Sequence, residues 1–219
     1  MNGLAYKWHV VIGVPFGAFM VILDPVVVNV SLPSIMNEFN VGLDRGQLVI
    51  SLYFLSMAIV MPLTGYLSDR WGTKRLFVLS IAVFTIGAVL SATAWDFNSF
   101  LFFRVLQGLG GGITMPLTMA LIFRTVPREE QGFMVSLVGV PITTAPIVGP
   151  ILSGYLVEAG SWRLVFYLFV PVGILAVLLA SWLLRETEKV KTLPFDYKGW
   201  LLAGVAFSTG LLALTRVPQ

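Results

Sequence analysis

The chain has 219 residues, of which 57% are hydrophobic and only 11% charged, with a formal net charge of +3. Soluble domains carry about 25% charged residues, so this composition excludes a fully water-facing surface and makes the bilayer the expected solvent. Without cysteine, a disulfide framework and a thiolate metal site are excluded.

A spanning helix needs about 20 mostly apolar residues. Six runs satisfy this, at about 8–32, 46–67, 76–95, 98–123, 132–157 and 162–184, and a seventh begins near Lys198 and reaches about Thr215. The first run is not a signal peptide, because it contains Asp24 and lacks a small-x-small cleavage site. The expected architecture is all-α and integral to the membrane. Residues 1–184 form a six-helix bundle, 185–197 a charged cytoplasmic linker, and 198–219 a seventh helix. No segment reads as a soluble domain, and no nucleic-acid partner is expected.

Lys and Arg placement orients the runs. With the N-terminus inside, the inner segments hold Lys7, Arg70, Lys74, Arg75, Arg124, Arg128, Arg185, Lys189, Lys191 and Lys198. The outer segments hold only Arg45, Arg163 and Arg216. The expected orientation is therefore a cytoplasmic N-terminus. Trp8, Trp71, Trp95, Trp162 and Trp200 lie near run ends, as headgroup anchors do.

The joint between the second and third runs reads GYLSDRWGTKRLF (65–77), and the joint between the fifth and sixth reads GYLVEAGSWRLVF (154–166). Gly65, Tyr66, Leu67 and Asp69 align with Gly154, Tyr155, Leu156 and Glu158 at one constant offset. Three spans separate the copies, so they fall on opposite membrane faces. That is an inverted three-plus-three repeat, a common transporter construction.

Two ionisable residues lie well inside runs, Asp24 and Arg104. Each costs at least about 2.5–3.5 kcal/mol to insert, and such residues usually face a bundle interior or a water-filled cavity. At 1.5 Å rise per residue, Asp24 lies about 6 Å and Arg104 roughly 10 Å outward of the membrane centre. The expected arrangement is an Asp24–Arg104 contact, direct or through water. Such a pair can serve structure alone. It can also serve as a titrating site, because burial and a neighbouring arginine act in opposite senses on a carboxyl group.

The fourth run continues from Arg104 through Gln107, Gly108, Gly110, Gly111 and Gly112. Gly108 shares the face of Arg104 and leaves room for a ligand or another helix. The fifth run carries Pro141, Pro146 and Pro150, which favour bending. It also carries Ser136, Ala145, Gly149, Ser153 and Gly154, which allow close helix approach. Tyr53 and Phe54 on the second run suit either a cavity lining or lipid contact. His9, the only histidine, sits at the start of the first run with no nucleophile arranged beside it, so no enzyme site is expected.

These stretches together resemble the major facilitator superfamily, specifically its fourteen-span drug:proton antiporters. GYLSDRWGTKR is similar to the loop signature between helices 2 and 3, RVLQGLGGG (104–112) to the helix 4 signature, and LDPVVVNVSLP (23–33) to the helix 1 signature. Ser136, Ala145, Gly149, Pro150, Ser153 and Gly154 fall on the helix 5 antiporter signature, which has glycine where Ser136, Ala145 and Ser153 stand. Val26 stands where the helix 1 pattern often has threonine. The short link before FDYKGWLLAG (195–204) favours fourteen spans.

The resemblance implies two six-helix bundles rocking around a central cavity, of which this chain is the N-terminal one, continuing into a missing C-terminal half. It implies export of lipophilic, often cationic, small molecules in exchange for protons across the cell membrane, with the proton gradient as energy source and no cofactor. Asp24 becomes a proton or cation site and Arg104 its coupling partner, with Gln107, Gly108 and Gly112 in the helix 4 signature. Pro146, Gly149, Pro150 and Gly154 mark the antiporter helix. Asp69 holds the inner gate against the second bundle, with Arg70, Lys74 and Arg75 around it. Gly65 gives close contact with that bundle and Gly72 a tight loop. A stand-alone half-transporter or membrane scaffold, and a facilitator for a metabolite, siderophore or lipid, are the competing expectations.

Overall fold

The computed structural model describes residues 3–186, 196–200, 202, 204 and 209. Among them all regular structure is helical: α1 (Gly3–Gly13), α2 (Pro15–Glu38), α3 (Leu43–Gly46), α4 (Leu48–Val60), α5 (Leu63–Trp71), α6 (Thr73–Ala92), α7 (Phe97–Thr125), α8 (Arg128–Glu158), α9 (Arg163–Tyr167) and α10 (Phe169–Leu183). Six stretches are long and apolar enough to cross a membrane: Tyr6–Glu38, Leu43–Val60, Thr73–Ala92, Phe97–Thr125, Arg128–Glu158 and Arg163–Leu183. They coincide with the six complete runs. Most of the linker and of the seventh helix read from the sequence lies outside the described residues. Residues 197–200 are helical, and Trp200 Nε1 donates to Ile59 O at 2.9 Å.

Local chemistry sets the boundaries. Pro15 opens α2, where its missing N–H costs nothing. Asp96 caps α7 in a reciprocal box with Ser99, its carboxylate accepting the Ser99 amide at 2.6 Å. That backbone hydrogen bond holds the exposed Asp96 carboxyl below the usual carboxylate range. Its stabilising effect is therefore present above the ordinary carboxylate pKa and is lost as pH falls through the depressed one. Gly72 ends α5 at φ 96°, a left-handed geometry that glycine adopts without strain. The second run is not one helix, because it breaks at Met61–Pro62. The fifth is one helix despite Pro141, Pro146 and Pro150.

The spans pack with the symmetry the repeat implies. The first packs on the fifth, and the fourth on the second. The third packs on the fourth, and the sixth on the first. The first also meets the fourth, and the third meets the sixth. Exchanging spans 1, 2, 3 with 4, 5, 6 leaves this pattern unchanged. The two joints follow it: α5 turns at Gly72, and α8 ends beside Gly160, the other positive-φ glycine among the described residues (φ 137°). Lys74 and Arg163, which share the repeat offset, make equivalent contacts. Lys74 Nζ reaches Ser181 O near the end of the sixth span at 2.6 Å, and Arg163 Nη2 reaches Ala94 O beyond the third at 3.2 Å. Cations suit such helix C-termini, where carbonyls lack intrahelical partners.

Lipid tails are as apolar as leucine, so close packing and interhelical hydrogen bonds replace the hydrophobic effect between spans. Helix α7 is the centre of this packing. A methyl group at Gly108 would lie 2.5 Å from Tyr53 O, and one at Gly112 2.7 Å from Met57 Cα, both on α4. One at Gly110 would lie 2.5 Å from Phe84 N on α6. The space beside Gly108 is therefore filled by another helix. Ser80 and Thr114 join α6 to α7 at 2.9 Å, and Ser31 and Ser153 join α2 to α8 at 2.7 Å.

Gly112→Val should destabilise the bundle by about 1–3 kcal/mol through overpacking against α4. Gly154→Ala, with nothing within 4 Å of the added carbon, should raise stability by up to about 1 kcal/mol, the helix-interior advantage of alanine over glycine. Thermal unfolding of the detergent-purified chain checks both. Equal effects would contradict the packing assignment.

Candidate functional site

Asp24 on α2 and Arg104 and Gln107 on α7 meet inside the bundle, each with 0% of its surface exposed. Arg104 and Gln107 are three residues apart and so share one helix face. Arg104 Nη1 donates to Asp24 Oδ1 at 2.9 Å and to Gln107 Oε1 at 2.6 Å. Gln107 Nε2 donates to the same Asp24 Oδ1 at 2.8 Å. Arg104 Nη2 lies 2.8 Å from Oδ2, close enough for ion pairing but not aligned as a hydrogen bond. The contact expected between Asp24 and Arg104 is therefore direct.

Helix α4 frames the guanidinium. Arg104 Nε donates to Val49 O at 3.4 Å, and the Tyr53 ring lies 4.5 Å from Arg104 Cζ, a cation–π distance. Phe166 stands farther off, at 5.8 Å. Tyr53 is wholly buried, whereas Phe54 is 43% exposed, so the two adjacent aromatics divide between the interior and the outer face.

The loop signature forms a separate group at the end of the bundle where α5 meets α6. Asp69 pairs with Arg124 Nη2 at 3.3 Å, and Arg124 Nη1 also donates to Thr73 Oγ1 at 3.2 Å. Arg75 pairs with Glu186 at 3.5 Å, and the Glu186 carboxylate accepts the backbone amides of Lys74 at 3.1 Å and Arg75 at 3.3 Å. An anion there complements the positive end of α6. Arg70 donates to Tyr66 OH at 3.0 Å. A side chain at Gly72 would collide with the Glu186 carboxylate. Gly65 has nothing within 4 Å of an added carbon.

The α8 signature is distributed over two faces. Gly149 faces α2, where a methyl group would lie 2.7 Å from a Val26 methyl carbon. Pro146 and Pro150 are exposed, and Gly154 is open. At the opposite end of the bundle Glu38 accepts from Trp162 Nε1 at 2.6 Å and pairs with Arg163.

Arg124, Glu186 and Glu38 carry these contacts but entered the sequence reading only as loop charges or not at all. Each lies one or more spans from its partner, and no local pattern marks it. Among the described residues no cluster of three metal-ligating side chains occurs.

A six-span helical bundle with inverted repeats and a buried acid–arginine pair defines a transporter-type membrane protein. The chain belongs to the Major Facilitator Superfamily, whose sequence model matches residues 15–217. It is a multi-pass membrane protein. It is 37% identical over 214 residues to the "Putative multidrug resistance protein MdtD" of Pectobacterium carotovorum, covering 98% of this chain and 46% of that protein. It is 38% identical over 208 residues to the protein of the same name from Yersinia pestis, covering 95% and 44%. The chain thus spans a little under half the length of these relatives. Its fold matches a proton:xylose symporter, XylE (TM-score 0.73, 17% identity, 82% of this chain and 45% of that one). It also matches a peptide transporter, POT (TM-score 0.74, 15% identity, 100% and 50%).

Removing one member of a buried pair leaves an uncompensated charge, at a cost of about 3–5 kcal/mol. Arg104→Met should destabilise the chain by that amount, and adding Asp24→Asn should recover a large part of it. A double-mutant cycle on unfolding midpoints measures the coupling. Additive effects would show that the two charges are not held as a pair.

Proposed function

We propose that this chain is the N-terminal bundle of a proton-coupled multidrug efflux transporter that works by alternating access. The reading rests on one observation above all. A carboxylate and an arginine are paired, wholly buried, inside the spans of a facilitator bundle. Protonating Asp24 removes the charge that Arg104 and Gln107 hold. The guanidinium then lacks its counter-ion and must find other acceptors, so the two protonation states favour different helix arrangements. That difference is what coupling to a proton gradient requires.

The relatives' name supports small-molecule drugs as cargo, and the buried carboxylate suits lipophilic, often cationic, ones. Once exposed to the central cavity, an ionised Asp24 attracts a cation and a protonated one releases it. The missing half supplies the second bundle, and the gradient supplies the energy with no cofactor. Concentration of Arg70, Lys74, Arg75, Arg124, Arg128 and Arg185 at one end of the bundle supports a cytoplasmic N-terminus. The Asp69 group at that end supports a gating role against the second bundle.

In the full-length protein, Asp24→Asn should abolish proton-driven efflux from everted vesicles while its membrane level stays normal. Wild-type rates in that variant would remove Asp24 from the mechanism. Asp69→Asn should slow transport with near-normal substrate affinity. A large loss of affinity at normal turnover would contradict a gate.

A further inference from the structure

Asp24 is followed by Pro25, which lies inside α2. Proline has no N–H, so the carbonyl four residues earlier loses its helical donor. That carbonyl belongs to Val21. In the fold it is not orphaned, because Tyr53 OH on α4 donates to Val21 O at 3.2 Å. The same side chain lays its ring against the Arg104 guanidinium at 4.5 Å. Space for the hydroxyl comes from Gly111 on α7, where a methyl group would lie 3.2 Å from it. Tyr53 therefore touches three things at once: the weak point of α2, the cation that pairs with Asp24, and the glycine face of α7.

We infer that Tyr53 is the positioning residue that couples the charge state of the Asp24–Arg104 pair to the proline joint of α2. Its ring holds the guanidinium toward the carboxylate, and its hydroxyl stands in for the amide that Pro25 lacks. A shift of Arg104 displaces the ring. The ring carries the hydroxyl with it, and Val21 O loses its donor at the point where α2 bends most easily. The other charged groups stand apart from this cluster. Helix α6 carries Lys74 and Arg75 only in its first turn, α8 its charges only at its ends, and α10 none. Arg163 of α9 is engaged with Glu38. Asp24 is thus the acid of this cluster, and Arg104 and Tyr53 are the groups placed to respond to its charge.

The inference rests on the proposed function for its pH response, but its hydrogen-bond logic does not. Two measurements separate these. The first is a stability cycle on the purified chain. Tyr53→Phe keeps the ring and removes the donor, so it should lower the unfolding midpoint. Pro25→Ala restores an amide to Val21 O, so in that background Tyr53→Phe should have a clearly smaller effect. Equal effects in both backgrounds would overturn the substitution of hydroxyl for amide. The second is the pH–efflux profile of the full-length protein in everted vesicles. Tyr53→Phe frees the ring from its anchor on Val21 O and so weakens its placement on Arg104; the midpoint should move by up to about one unit toward alkaline pH, tenfold in proton affinity, the size of one hydrogen bond. A profile of reduced height with an unmoved midpoint would assign Tyr53 to packing alone and overturn the coupling. If Asp24→Asn retains wild-type efflux, the function proposed above fails, while the stability cycle still stands or falls by itself.

Discussion

The ion pair between Asp24 and Arg104 is the constraint to which the rest of the bundle conforms. Moving two charges out of water costs several kcal/mol each, and mutual attraction offsets this only with good geometry and additional hydrogen bonds. Here the geometry needs three helices. Helix α2 supplies the acid, α7 the arginine and the glutamine that shares its acceptor, and α4 a carbonyl and an aromatic face. Sliding α2 or α7 by one turn, about 5.4 Å, would separate the two charges, and sliding α4 would take the carbonyl and the ring away from the guanidinium. The pair therefore fixes the register of spans 1, 2 and 4.

That register is reachable because α7 is nearly bare along two sides. Gly108 and Gly112 admit α4, and Gly110 admits the backbone of α6. The two features depend on one another. Without the glycines α4 could not bring Tyr53 and Val49 O to Arg104. Without the arginine the close contact of α4 and α7 would have no polar anchor. Glycine in a helix interior costs roughly 0.5–1 kcal/mol relative to alanine, a modest cost beside that of an unpaired buried charge.

Much of this was legible in the sequence because its signals are local. Apolar runs located six spans, and Asp24 and Arg104 stood out as charges inside them. Helical rise alone placed them at similar depth, and the pair forms. The repeat between Gly65–Asp69 and Gly154–Glu158 also holds, and it extends to Lys74 and Arg163, whose equivalent carbonyl contacts no alignment of letters displays. Partners at the helix ends were not legible. Glu186 on the first amides of α6, Arg124 on Asp69 and Glu38 on Trp162 each depend on how distant helix ends meet. Tyr53 was ambiguous between cavity and lipid because an aromatic residue suits both. The decisive clue was one of spacing: Pro25 stands four residues after Val21, so a donor had to come from elsewhere.

The two acidic residues singled out by the sequence differ in what they cost to move. Asp69 and Arg124 are 36% and 46% exposed and 3.3 Å apart. A pair of that exposure contributes about 0–1 kcal/mol, so water or another cation can replace Arg124 at little cost. Asp24 and Arg104 have no exposure at all, and no solvent is at hand to take over from either. A change of charge at the first site is absorbed locally. At the second it must be met by rearranging protein groups, and those nearest belong to three spans. A change of charge at Asp24 therefore demands a wider rearrangement of the bundle than one at Asp69.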